Sequence, residues 1–325
     1  MAEGNELIAE TRKFANESRG KSVYVTVTTF GVLAAVTAVA ALAPWWPARL
    51  VASLVEGLVI VRAFILVHDF HHGAIFRKSA VGSVIFGVFG TLILTPPRVW
   101  RDTHNYHHAH TAKIVGAQIG SFPVMTVEMW RRADAPKRRA YALARHPLTI
   151  AFGYVTIFLL GMCLASFLRK PRENWGSGVA LVVHFALLAG LGWAFGPAMP
   201  LFVLVLPLFV ACAMGAYLFY AQHNYPGVFM QPRQTWSFAK AALDSSSYMH
   251  VGPVMSWFTG EIGLHHVHHL NAAIPFYRLR EAMAAIPELQ VPPATTLRLA
   301  DVRACLALKL WDPTSGRMVE FPAEG

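Results

Sequence analysis

The sequence predicts an all-α integral membrane fold: four spanning helices in two hairpins, interfacial helices, and a cytoplasmic cap. Three observations predict it. Of 325 residues, 55% are hydrophobic and only 14% charged, against about 25% charged in an ordinary soluble domain. The excess of Lys and Arg behind the net charge of +10 lies almost wholly on one side of the apolar stretches. Eleven of the fifteen histidines fall in three short stretches, VHDFHHG (67–73), THNYHHAHT (103–111) and GLHHVHHLN (263–271), and the charge pattern places all three on that same side.

The elements follow in order. Residues 1–22 are polar and lack the apolar core of a secretory signal; they are expected to stay in the cytoplasm as a short interfacial segment. Residues 23–325 then read as a single membrane domain, with no repeat, low-complexity tract or second domain. A span needs about 20 mostly apolar residues, and six stretches compete: 23–43, 50–67, 80–95, 148–168, 178–195 and 199–220. APWWPAR links the first two, with one Arg and a Trp pair suited to the membrane interface. The uncharged FGPAMP links the last two. Both read as external turns. Arg12, Lys13, Arg19 and Lys21 precede the first hairpin. Arg77, Lys78, Arg98, Arg101, Lys113 and RRADAPKRR (131–139) lie between the hairpins, and Arg169, Lys170 and Arg172 follow the fourth stretch. The positive-inside rule makes all of these cytoplasmic, so 80–95 and 148–168 are read as interfacial or re-entrant.

Other features are read by default physics. No basic stripe interleaved with aromatics points to nucleic acid, and the positive charge suits cytoplasmic loops and lipid headgroups. Cys163, Cys212 and Cys305 form no metal pair or disulfide framework and read as buried small residues. Glu56 and Arg62, inside the second stretch, read as an internal ion pair or as snorkelling side chains. FYRLREAMAAIPEL and TTLRLADVRACLALKLW, within 276–312, show helical periodicity and are expected to form two amphipathic helices covering the histidines.

On a helix, residues i, i+3 and i+4 share a face. His68, His71 and His72 fit this spacing, as do His104, His107 and His108, and His265, His268 and His269. Imidazole suits iron, copper, zinc or nickel. A structural zinc is satisfied by four ligands, whereas three triads supply enough for two metals. A metal transporter would carry its ligands near the bilayer midplane, but here only His184 lies mid-helix.

At these residues the chain resembles the membrane fatty-acid desaturases, the histidine-box di-iron proteins, and most of all their bacterial and plant acyl-lipid branch. HDFHHG resembles the first box, with His68 and His72 as ligands, and WRDTHNYHHAHT the second, with His104, His107 and His108. GSFPVMTVEMW resembles the segment after that box, and YAQHNYP carries the isolated His223. SSSYMHVGPVMSWFTGEIGLHHVHHLNAAIPFYRL resembles the third-box region, with His265, His268 and His269. The resemblance covers roughly residues 50 to 285.

It implies two iron ions, dioxygen as co-substrate, and insertion of a cis double bond into an acyl chain, most plausibly a lipid-linked one. A hydroxylase or ketolase of the same superfamily is the alternative. The site would face the cytoplasm, at the inner membrane if the source is bacterial. With no GxGxxG and no haem-binding HPGG in the chain, electrons would come from a separate ferredoxin or b-type cytochrome, drawn to the basic face. His71, His110 and His266 depart from the family pattern and are read as outer partners of the ligands. Asp69 is read as orienting an imidazole or capping its helix; His146, His184 and His250 as structural.

Overall fold

The computed structural model describes residues 2–322 except 115, 117 and 233. The chain is mostly helical, and four of its helices are long and apolar enough to cross a membrane. They are α2 (Arg19–Leu42), α3 (Trp46–His71), α6 (Trp175–Phe195) and α7 (Ala198–Ala221), with α1 (Ala2–Thr11), α4 (Ala80–Leu92) and α5 (Pro97–His110) before α6. Helices α2 and α3 run a few residues past their apolar stretches, because flanking polar residues continue the helix. At its C-terminal end this extension carries α3 into the first histidine stretch.

Helix α3 is the most buried of the four and packs along α2 and α7. At Gly57 a Cβ would lie 2.6 Å from the Val210 Cβ and 2.8 Å from the Pro207 carbonyl oxygen, so only glycine permits this close helix crossing. The charges of α3 do not pair with each other. Glu56 Oε1 accepts from Thr37 Oγ1 at 2.7 Å, and Arg62 Nε donates to Thr29 Oγ1 at 3.0 Å. Six positions put the two side chains about 120° apart around the helix, and each meets a threonine of the neighbouring α2. Arg62 also donates to the Trp257 carbonyl, and its guanidinium lies over the Trp257 ring.

Helices α6 and α7 are joined by a turn at Gly196 but take different partners. Helix α6 packs on α4 and on a π-helical segment, Tyr154–Ala165, whereas α7 packs on α3 and on that same segment. The two stretches read as non-crossing are irregular: α4 turns through 92° into α5, and 147–169 breaks into short helix, π-helix and helix. At the α4–α5 turn the Thr95 N–H bonds the Gly90 carbonyl at 2.8 Å. A Cβ on Gly90 would sit 2.9 Å from the Thr95 carbonyl oxygen. Pro97 then opens α5 at its first turn, where a missing N–H costs nothing.

The remaining elements form the cap. Helices α8 (Phe238–Asp244), α9 (His265–Leu270), α10 (Leu279–Ala285) and α11 (Leu299–Ala307) are short. Strand β1 (Met125–Thr126) pairs in parallel with β4 (Leu310–Asp312), which pairs with β5 (Arg317–Val319). Strand β2 (Tyr248–His250) pairs in parallel with β3 (Ala294–Thr296). The two helices expected within 276–312 are present but short, α10 and α11. They are interrupted by Pro287, Pro292 and Pro293, with strands between and after them. Periodicity could not show β3 and β4, because they pair with the distant β2 and β1.

Candidate metal centre

Nine imidazoles converge in two groups. His68, His72, His104, His108 and His268 form one, and His107, His223, His265 and His269 the other; within each group the ligand atoms all lie within 4.8 Å of one another. Helix α3 delivers His68 and, at its C-terminal cap, His72. Helices α5 and α9 each serve both groups. From α5, the i, i+4 pair His104 and His108 enters the first group while His107 enters the second. From α9, the i, i+4 pair His265 and His269 enters the second group and His268 the first. The triads of α5 and α9, read from the sequence as common faces, are thus divided between the groups, whereas His68 and His72 enter one group and His71 neither. In α5 and α9 the i and i+4 side chains stack over one point and the i+3 side chain reaches the other. His223, just past the end of α7, completes the four-membered group.

The nitrogens are arranged for a cation. In the second group, Nε2 atoms form a closed ring: His107 to His223 3.1 Å, His223 to His265 2.9 Å, His265 to His269 3.1 Å, and His269 to His107 3.3 Å. A square of that edge has its centre about 2.2 Å from each corner, close to the roughly 2.0–2.1 Å of a metal–imidazole bond. His223 Nδ1 donates to the Ser245 carbonyl at 2.9 Å, so its Nε2 presents a lone pair to its neighbours. In the first group, His108 Nε2 lies 3.1 Å from Nε2 of both His104 and His268. The residues present fit two metal ions.

Outer partners orient the rings. Asp69 Oδ1 lies 3.1 Å from His68 Nδ1, and its Oδ2 accepts the Phe276 N–H at 2.7 Å. Asp69 therefore orients an imidazole and ties α3 to the cap. Ser121 Oγ is 2.6 Å from His107 Nδ1, and Thr111 Oγ1 is 3.4 Å from His269 Nδ1. Trp100 stacks on His104 at 4.4 Å, and Phe219 packs on His107 at 4.8 Å. Burial holds His265, His268 and His269 well below the usual imidazole range, with neighbouring imidazoles adding to it. Burial also lowers His223 to about 4, against the opposing effect of its hydrogen bond to the Ser245 carbonyl. Neutral rings keep their lone pairs for a metal.

The other histidines stand outside both groups. His71 lies against Trp100 at 5.5 Å. His110 stacks on Tyr106 at 3.8 Å and bonds its carbonyl oxygen. His266 is fully buried and donates Nε2 to the Leu289 carbonyl, pinning the tail to α9. His184 bonds Tyr154 Oη at 2.7 Å, and His146 accepts from the Leu148 N–H. His250 lies against Tyr248. All three cysteines are free and buried.

Sequence reasoning missed Ser121, Thr111, Ser245 and Arg145. The guanidinium of Arg145 is buried and donates to Pro123 O, Tyr220 Oη, Asn224 Oδ1 and Leu308 O. It thereby joins the loop after α5, the end of α7 beside His223, and the tail. It lies six residues past the basic run 131–139, and nothing in the local sequence marks it as buried.

With this geometry established, the comparisons give the family. The chain belongs to the fatty acid desaturase family, whose sequence pattern matches residues 44–298. It is 29% identical over 267 residues to a fatty acid desaturase of Bacillus subtilis, covering 81% of this chain and 75% of that one. It is 25% identical over 234 residues to an sn-1 oleoyl-lipid 12-desaturase of Synechocystis, covering 71% and 66%. It is also 26% identical over 272 residues to an sn-1 acyl-lipid omega-3 desaturase (ferredoxin) of Synechocystis, covering 79% and 72%.

Proposed function

We propose that the chain is a membrane fatty-acyl desaturase that inserts a cis double bond into a lipid-linked acyl chain, using two irons and dioxygen. The observation that carries this reading is the pair of converging imidazole groups, five and four strong, in a member of this family. His68, His72, His104, His108 and His268 would hold one iron, and His107, His223, His265 and His269 the other. The irons, when bound, supply reductive activation of dioxygen and removal of hydrogen from an unactivated methylene.

The remaining work falls to the chain itself. Asp69, Ser121, Thr111 and the Ser245 carbonyl hold the ring orientations. Burial keeps the imidazoles neutral. Trp100 and Phe219 line the groups with apolar surface and exclude water. The spanning helices supply the apolar environment that an acyl chain requires, so that one carbon–hydrogen bond can be placed by binding.

The placement of Lys and Arg supports four crossings with both ends and the metal centre on the cytoplasmic side. We further assign residues 1–22 to a cytoplasmic segment and 23–325 to one membrane domain. A ferredoxin-type donor fits the basic face and is named for one relative; a b-type cytochrome is the other class.

The test is the fatty-acid profile of a host with a ferredoxin system and little unsaturated fat, beside a His268→Ala control. A new unsaturated species only with the intact chain supports the proposal and gives its regiochemistry. A product heavier by one oxygen would replace it with hydroxylation. An unchanged profile from folded protein would refute it.

A further inference from the structure

A cavity of about 590 Å³ lies between the metal centre and the N-terminal segment. His72 and His108 of the first group and His269 of the second reach its wall, with the Asn105 and Asn271 side chains beside them. Ile8, Arg12 and Ala15 line the opposite side of this cavity, which opens to solvent. That side is built outside the part of the chain matched to the family, which begins at residue 44. It is held in place: Thr11 Oγ1 is fully buried and accepts from Asn271 Nδ2 at 2.9 Å, Leu7 and Phe14 are buried, and Arg278 Nη1 donates to the Lys13 and Asn16 carbonyls.

Charge says what the cavity suits. All nine imidazoles are neutral donors, and among the described residues Asp69 is the only carboxylate hydrogen-bonded to any of them. Two divalent ions would therefore be left with most of their positive charge unbalanced in a buried site, where that imbalance is costly. The cavity wall offers no carboxylate, and Arg12 is its one permanently charged side chain. Arg12 is exposed and makes no side-chain hydrogen bond or ion pair among the described residues. A cavity that touches ligands of both groups and carries an unmatched guanidinium would repel cations, attract anions, and has room for several waters.

We propose that this cavity is a binding and access site for small monoanions, such as hydroxide, formate or azide, which reach the metal centre past Arg12 and offset its charge. The inference rests on the two-metal reading above. Its test uses the full-length, metal-loaded, oxidised protein in detergent, with azide as probe, followed by the absorption band that azide produces on a ferric centre. Arg12→Glu should weaken azide binding roughly tenfold at low ionic strength, and the difference should shrink in high salt. Ala109→Trp, at an exposed position on the cavity wall, should obstruct binding at any salt. Azide affinity unchanged by Arg12→Glu at low salt, or unchanged by Ala109→Trp, overturns the proposal. Failure of the wild-type chain to hold iron would instead overturn the two-metal reading.

Discussion

Asp69→Asn should loosen one metal and leave the other. The Asp69 carboxylate serves two buried donors, the His68 Nδ1–H at 3.1 Å and the Phe276 N–H at 2.7 Å. Asparagine has one acceptor oxygen for these two. The shorter, backbone contact should keep it, which turns the amide NH2 toward His68 and sets donor against donor. His68 then loses the partner that fixes its ring, and its Nε2 is no longer held toward the first group. Removing such an outer partner typically lowers metal affinity about 10- to 100-fold, or about 1.4–2.7 kcal/mol. The effect should be confined to the five-histidine group, because Asp69 touches no ligand of the other. Asp69→Ala should add a loss of stability of about 1–3 kcal/mol, since the buried Phe276 N–H is then left without any acceptor. The assay is metal retention by purified protein against chelators of graded strength, read as metals per chain. One metal should leave Asp69→Asn at a weaker chelator than it leaves the wild type. If both metals resist the same chelators in the two proteins, the orienting role of Asp69 is refuted.

Three further outcomes are expected. His265→Ala, which reduces a four-nitrogen group to three, should lose one metal outright, whereas His268→Ala, which leaves four of five, should bind its metal more weakly; metal content per chain separates them. Arg145→Leu removes four hydrogen bonds of a buried guanidinium and takes from Asn224 Oδ1 its buried donor; at about 1.5–3 kcal/mol for a hydrogen bond to a charged group it should lower the thermal transition of the detergent-solubilised protein sharply, with Arg145→Lys intermediate. The metal-free protein should lose stability as pH falls from about 6.5 toward 4. His223 and His266 are held to about 4 by burial, so in that window the unfolded chain takes up protons that the folded one refuses. Bound metal should blunt this loss, and a pH-independent transition of the metal-free protein would contradict it.

The sequence by itself marked four helices apolar enough to cross a membrane, because apolar length is a property of single segments and needs no partner to be read. Its i, i+3, i+4 spacing, which is local, also singled out eight of the nine converging histidines together with His71, while His223 was marked only by the resemblance. What it left undecided was how they divide. Nothing in the spacing of His104, His107 and His108 says that the middle one serves a different group from its neighbours. That follows from how α5 lies against α9 and from His223 arriving on a separate helix. Glu56 and Arg62 could be read as an ion pair only because their threonine partners sit on α2, beyond the reach of local pattern. The tail showed helical periodicity, yet it also forms β3 and β4, which pair with β2 and β1 far away in the sequence. The N-terminal segment read as a short interfacial piece, and tertiary packing made it one wall of a cavity at the metal centre. Local chemistry is written along the chain, whereas the geometry that makes it a site comes from contacts between residues hundreds of positions apart.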